Sequence, residues 1–383
     1  MRKLFFFVAT TFNKRDYNRF GIEILKAEGF EVHVWDFTPL FSRKAYVNYT
    51  PPDTLEYQHY GLIKSKSDFY NLSKNLCNSI VVSHINSHAK TNFIFNYLKQ
   101  HKIKFGFCNL GLMPSIKFPF MFKILLLFRN PYLIKSKINM FLRKSSNNQI
   151  IPNFIITGGE EAIQNNKYLK NNETLIINAH TYDYDLYLNE EKYDNKPLIK
   201  DKYAVFLDSF IPFHPDFLHL NMPSYCSAND YYPNINKFFG QVEKLLGLRV
   251  VVAAHPRSNY SNQEKLFNNR TVIINQTANL IKYSTFVINH VSTATNFAVL
   301  YNKPMVFITS SKYSSRLDRA IKFYAKLFKK KFINLDSDNA KLDLDLNFNV
   351  EIYKTYIKNY IKTPLTSEES IWKTFSERIE KII

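Results

Sequence analysis

Three short stretches in the carboxyl half hold residue types able to grip an anion or attack a polarised carbon. "VVVAAHPRSNY", residues 250–260, runs a β-branched strand straight into His255, Pro256 and Arg257. Histidine and arginine together at a strand end suit a phosphate, since both offer N–H donors and arginine a fixed charge. "FLDSFIPFHPDF" ends another strand at Asp208 and carries His214 and Asp216, candidate sugar or acceptor contacts, in the following loop. "INHVSTATNF" sets Ser292 and Thr293 where a helix begins, and unpaired helix N–H groups beside hydroxyls can seat a phosphate. Each has a plainer reading: an N-cap for Ser292-Thr293, a satisfied structural histidine for His255, a strand terminator for Asp208. The chemical reading rests on all three falling at equivalent positions of successive strand–loop units.

The elements that must position them alternate regularly. "KLFFFVAT" predicts a buried strand, "RDYNRFGIEILKAEG" a helix closed by Gly29, and "FEVHVWDF" a second strand. "SIVVSHI", "IKFGFC", "NFIITGG" and "TLIINAH" predict further strands, with "AKTNFIFNYLKQHK" helical among them. The second half repeats the pattern through "KYAVFLDSF", "LRVVVAAH", "RTVIIN", "TFVINH" and "KPMVFITS", then reads as mainly helical from Asp318, with Ser367 placed to cap the last helix. Continuous β-branched runs separated by amphipathic helices predict parallel sheets covered on both faces. The fold class is therefore α/β, with two Rossmann-like domains: residues 1–190 on the acceptor side and residues 200–383 binding the nucleotide. The polar stretch 188–202 joins them. Ligands of such sheets bind beyond the carboxyl ends of the strands.

Residues 115–147 interrupt the alternation with Lys and Arg among Phe, Leu and Ile, and no acidic residue. Such a basic amphipathic insertion suits an anionic membrane surface; a helix packed on its own domain with a solvated basic face is the alternative. RNA stacking belongs on exposed strands or loops, so nucleic acid is not an expected partner. The chain as a whole has 51 Lys and Arg against 32 Asp and Glu, a formal charge of +19, which favours anionic partners. Three scattered cysteines fit a reducing compartment, and no segment reaches the ~18 apolar residues of a membrane span. A cytoplasmic protein, peripheral at the inner membrane, is expected.

The "HP" after a strand, the later Ser/Thr pair and the acidic end of the first carboxyl-half strand resemble bacterial CMP-sugar-dependent glycosyltransferases of GT-B architecture. That group includes sialyl- and polysialyltransferases and the retaining β-Kdo transferases of capsule and lipopolysaccharide assembly. The resemblance implies that His255-Pro256 and Ser292-Thr293 bind the nucleotide phosphate; Arg257 joins them on charge grounds alone. The inverting members carry an acidic-acidic-glycine motif whose carboxylate acts as base. Here "TGGEEAI" reverses that order, leaving Glu160 and Glu161 at a helix start as candidate bases. The chain therefore looks more like the β-Kdo group, which implies Asp208 as nucleophile and a double displacement with retention.

The expected reaction transfers a 3-deoxy-ulosonic sugar, Kdo ahead of sialic-type acids, from a CMP donor to a surface-polysaccharide or lipid-linked glycan. No cofactor or metal is expected: one phosphate can be balanced by histidine, hydroxyls and helix N–H groups. Metal-ligand, nicotinamide and P-loop motifs are missing from the sequence. "NAHTYDYDLY", with His180, Asp183 and Asp185, reads as a loop capping the amino domain rather than a cation site. Rival readings are a UDP-sugar or polyol-phosphate transferase of the same fold, and a non-catalytic basic protein binding membranes or nucleic acid.

Overall fold

The computed structural model describes residues 2–116, 150–166, 168–169, 173–193, 195–260, 264–337 and 342–382. In the amino half, β1 (Arg2–Val8), β2 (Phe30–Asp36), β3 (Tyr60–Leu62), β4 (Ser79–Ser83), β5 (Lys104–Asn109), β6 (Phe154–Gly158) and β7 (Leu175–Ala179) form one sheet. Its order is β3-β2-β1-β4-β5-β6-β7 and every pairing is parallel. In the carboxyl half, β8 (Tyr203–Leu207), β9 (Arg249–Ala254), β10 (Val272–Ile274), β11 (Val287–Asn289), β12 (Met305–Thr309) and β13 (Phe332–Asn334) form the second. It too is parallel throughout, ordered β10-β9-β8-β11-β12-β13. These are two doubly wound, Rossmann-like domains, the α/β class expected.

The strand sequences require this arrangement. Every residue of β4, β6, β8 and β12 is buried, as in a sheet covered by helices on both faces. Strand order reverses between β1 and β4 in one sheet and between β8 and β11 in the other. At such a reversal the following loops diverge to opposite faces and open a crevice at the strands' carboxyl ends. The candidate residues follow β8, β9 and β11, so the topology carries them to one crevice rim.

Several local expectations are revised by tertiary packing. The single helix expected after β1 splits into Lys14–Arg19 and Ile22–Ala27, because Gly21 adopts a left-handed φ of +53° between them. A Cβ at Gly21 would lie 2.2 Å from Trp372 Cδ1, so the bare glycine makes room for that indole. The "HTYDYDLY" loop is instead a helix, Tyr182–Lys192, which absorbs the start of the expected linker. The last helix, Ile371–Ile379, is capped by Ser370 rather than Ser367. It also lies on the other domain from the one expected. Its Ile371, Trp372, Phe375 and Ile379 share a core with Leu4, Phe6 and Val8, so the chain returns to finish on the amino-terminal sheet. Residues 332–334, expected within a helical tail, form the edge strand β13. The basic insertion lies outside the described residues from position 117 to 147. Among the described residues no helix is long and apolar enough to cross a membrane.

Candidate active site

Hydrogen bonds from the ends of β8, β9 and β11 tie three loops together. The Asp208 carboxylate accepts from the Tyr260 hydroxyl at 2.7 Å, the Phe210 N–H at 2.8 Å and the His255 N–H at 3.3 Å. Ser209 Oγ donates to the Val291 carbonyl at 3.3 Å, which draws the residue before Ser292 to the same rim. Asp208 itself is only 3% exposed. Burial raises its pKa, while the three donors work the other way. Its oxygens are committed to holding the His255 loop.

His255, Arg257 and His214 form the accessible part of the site. The His255 turn is closed by Ser258, whose N–H and hydroxyl both reach the His255 carbonyl, at 2.8 and 2.7 Å. His255 Nδ1 accepts the Arg257 N–H at 3.1 Å, which places the proton of the neutral ring on Nε2. Burial, then His214, Arg257 and Arg15, push the His255 pKa well below its ordinary value. The ring therefore stays neutral, a donor through Nε2. The His214 ring lies edge-on to it with centroids 4.7 Å apart, and its pKa falls to about 4 through burial and the Arg257 charge. Arg257 pairs with Asp216 at 2.9 Å and leaves a buried Nε without a hydrogen-bond partner. Pro256 sits half-buried between His255 and Arg257.

Among the described residues no hydrogen bond links the Ser292 or Thr293 side chain to this group. Ser292 Oγ accepts the Ala294 N–H at 3.2 Å, an ST-turn rather than an N-cap, and Thr293 is exposed. The helix that follows, Thr295–Leu300, has no side-chain cap. Glu160 and Glu161 begin the helix Glu160–Gln164 after β6. Glu160 pairs with Lys358 of the returning chain at 3.2 Å, and Glu161 takes an amide hydrogen of Asn165 at the end of its own helix.

The amino domain contributes residues that the sequence reading passed over as plain helix. Arg15, Asp16 and Arg19 follow β1, directly at the first sheet's reversal point. Burial lowers the Arg15 pKa to about 10, with the charges of Arg19 and then Arg257 adding to it and Asp16 opposing. Arg15 and Arg257, from different domains, therefore feel each other's charge. Among the described residues the Arg15 side chain forms no ion pair or hydrogen bond. Burial raises the Asp16 pKa against the pull of Arg15, Arg19 and Arg257. Tyr49 closes the gap between domains, its hydroxyl 3.5 Å from the Arg257 carbonyl. Asp183 accepts from Asn296 at 2.9 Å, joining the linker helix to the helix beyond Ser292. One available signal pointed to Arg15: in a doubly wound sheet the loop after the first strand always feeds the reversal point.

His84, directly after β4, completes the amino-domain rim. Its ring stacks on Phe20 at 4.7 Å, its Nε2 is buried without a partner, and burial followed by the Arg19 charge lowers its pKa to about 3. An unfolded histidine takes up a proton near pH 6.5, so as pH falls the unfolded chain is favoured first and stability is lost between about 6.5 and 3. At pH 5.5 this single group costs about 1.4 kcal/mol. A His84→Phe variant is expected to lose about that much less stability than the parent between pH 7.5 and 5.5 in urea melts; equal losses would contradict the assignment.

No family model and no curated protein sequence matches the chain. Its fold is similar to solved structures at low identity. UDP-GlcNAc 2-epimerase from Methanocaldococcus jannaschii aligns over 99% of both chains with 14% identity and a TM-score of 0.47. The glycosyltransferase SnogD from Streptomyces nogalater aligns over 98% of both, with 10% identity and a TM-score of 0.46. MurG from Acinetobacter baumannii aligns over 100% of both, with 9% identity and a TM-score of 0.44. The fold assignment stands on the two strand orders given above.

Proposed function

We propose that the protein is a glycosyltransferase that binds a nucleotide-activated sugar in the crevice between its domains. The donor is a CMP-activated 3-deoxy-ulosonic acid, Kdo ahead of sialic-type acids, and the acceptor a surface-polysaccharide or lipid-linked glycan. The observation that carries this reading is the meeting of His255 and Arg257 from one domain with Arg15 from the other, with a deficit of partners: Arg15 forms no ion pair or hydrogen bond among the described residues, and the buried Arg257 Nε has no hydrogen-bond partner. One phosphate between them matches that deficit. The +19 charge and the basic stretch 115–147 suit work at an anionic inner-membrane surface.

The roles follow from the atoms. As the bond from the anomeric carbon to phosphate breaks, CMP leaves with the electron pair, and negative charge grows on the phosphate oxygen. His255 Nε2–H and the Arg15 and Arg257 guanidiniums are the donors that would meet that charge, and donors in place before the reaction are the effective form of electrostatic catalysis. The acceptor hydroxyl must lose its proton to a base as it attacks. Asp16, half-buried in the field of three arginines, is the carboxylate suited to this; Glu160 is paired with Lys358 and Glu161 with Asn165. Asp208 holds the His255 loop in place, and its engaged oxygens do not favour the nucleophilic role. An Asp208→Asn variant puts an N–H₂ among groups that all donate, so it should lose about 1–3 kcal/mol of stability and bind nucleotide more weakly. Mass-spectrometric capture of a sugar adduct on Asp208 would restore the retaining mechanism.

A thermal-shift panel tests the donor class. CMP is expected to raise the melting temperature above UMP, UDP, ADP and GDP, since binding to the folded state alone stabilises by about 2.7 kcal/mol at a hundredfold excess over Kd. Selective stabilisation by UDP would transfer the site to UDP-sugar chemistry. Indifference to every nucleotide would remove the enzymatic reading.

A further inference from the structure

The amino-terminal sheet carries a second group of ligating side chains, near its edge and away from the carboxyl strand ends. Glu31 and His33 are two apart on β2, so strand alternation puts them on one face. His59 stands just before β3, and its carbonyl accepts the Val34 N–H at 3.0 Å; with Val34 paired to Tyr60, His59 falls opposite His33 across the strands. Glu31 Oε1 and His33 Nε2 are 2.7 Å apart, and the His33 and His59 ring centroids 4.7 Å. One ligand atom from each of the three lies within 4.8 Å of the others. None of the three is fully exposed.

We infer that Glu31, His33 and His59 form a binding site for a divalent transition metal of the zinc class. Two imidazoles and one carboxylate are a ligand set that such ions accept, and three protein ligands leave further coordination positions open. The set is also held in place. The Phe5 ring, opposite His33 in the strand register, stacks on it at 4.5 Å and 14°, and Tyr57 meets His59 edge-on at 5.9 Å. His33 and His59 line a cavity of about 290 Å³ whose wall combines Lys3, Gln58 and Asn75 with the apolar Trp35 and Leu72, so the open positions give onto a space large enough for water or a small anion. Lys3 acts electrostatically on both Glu31 and His33. Its charge opposes a bare dication and favours one carrying an anionic further ligand. The ion would bridge β2 to the segment leading into β3 and so clamp the sheet edge.

Calorimetric titration of the tag-free, chelator-treated full chain with Zn²⁺ alone tests the site, backed by the visible spectrum of the Co²⁺ form. One equivalent is expected to bind and to raise the melting temperature. His33→Gln and His59→Gln should each weaken binding at least thirtyfold, while melting as the parent does in chelator. Glu31→Gln, at a 30%-exposed side chain, serves if either histidine variant fails to fold, and should weaken binding likewise. His214→Gln, in the crevice, should leave Zn²⁺ affinity unchanged. Lack of saturable binding by the parent would overturn the inference. So would binding that survives at Glu31, His33 and His59 variants, or that disappears only with His214→Gln.

Discussion

Replacing Arg15 with methionine is expected to make the protein more stable and to strip it of most of its affinity for nucleotide. The guanidinium is half-buried, its pKa drawn down to about 10 by burial and by the nearby charges of Arg19 and Arg257. Charge held against such opposition destabilises the free protein, and methionine keeps the apolar stem while removing it. Allowing for solvent screening, the gain should be about 1 kcal/mol in urea melts. Affinity moves the other way, because the same unsatisfied charge is what a phosphate would neutralise. Loss of one preplaced donor at a developing anion costs about 10²–10³ in rate. Arg257→Ala provides the contrast. Arg257 already neutralises Asp216 at 2.9 Å, so its removal should lower both stability and binding. The opposite signs of the two stability changes, read from melts with and without CMP, separate a ligand-seeking arginine from a structural one. An Arg15→Met variant that keeps the parent's CMP affinity would place the phosphate elsewhere.

Gly159→Ala is expected to be among the most damaging single methyl additions in the chain. The residue stands at φ +80° and ψ 160°, a region essentially reserved for glycine and costing about 1–3 kcal/mol for others. Its added Cβ would also lie 2.5 Å from the Asn359 carbonyl oxygen, backbone that cannot rotate away. Overpacking of this kind costs about 1–3 kcal/mol more. The site of the clash matters: Asn359 belongs to the returning segment Ile357–Ile361, whose carbonyl at Ile361 accepts the Thr181 N–H at 3.0 Å. The contact thus joins the end of β6 to the chain that carries the last helix home. A total loss of about 2–6 kcal/mol should appear in thermal unfolding, together with easier proteolysis between residues 357 and 371. A variant that melts within a degree of the parent would show that the segment shifts freely.

Much of the architecture was legible because strand burial is written locally. Runs such as "VVVAAH" and "YAVFL" alternate with amphipathic helices at a period that admits little except parallel, doubly covered sheets. From that pattern alone, His255, Asp208 and Ser292 fall at strand ends; hydrogen bonds join Asp208 to the His255 loop, while the Ser292 side chain turns to its own backbone. Their division of labour was not legible. Asp208 reads as an available acid until Tyr260, fifty-two residues on, is found donating to it. Glu160 reads as a base until Lys358, nearly two hundred residues away, pairs with it. A residue type gives the chemistry a group can do; only its partners decide whether it is free to do it.

Composition and short-range periodicity were enough to specify two parallel α/β domains, a basic molecule and strand ends bearing histidine, arginine and hydroxyl residues in the second half. The tertiary structure decided what long-range contact alone can. It set Arg15 against Arg257 across the domains, withdrew Asp208 into a hydrogen-bonded support, and sent the last helix back to the first sheet. It also brought His59 beside Glu31 and His33. Charges and ligand atoms act through space over a few ångströms, and such distances join residues that the chain keeps tens or hundreds of positions apart.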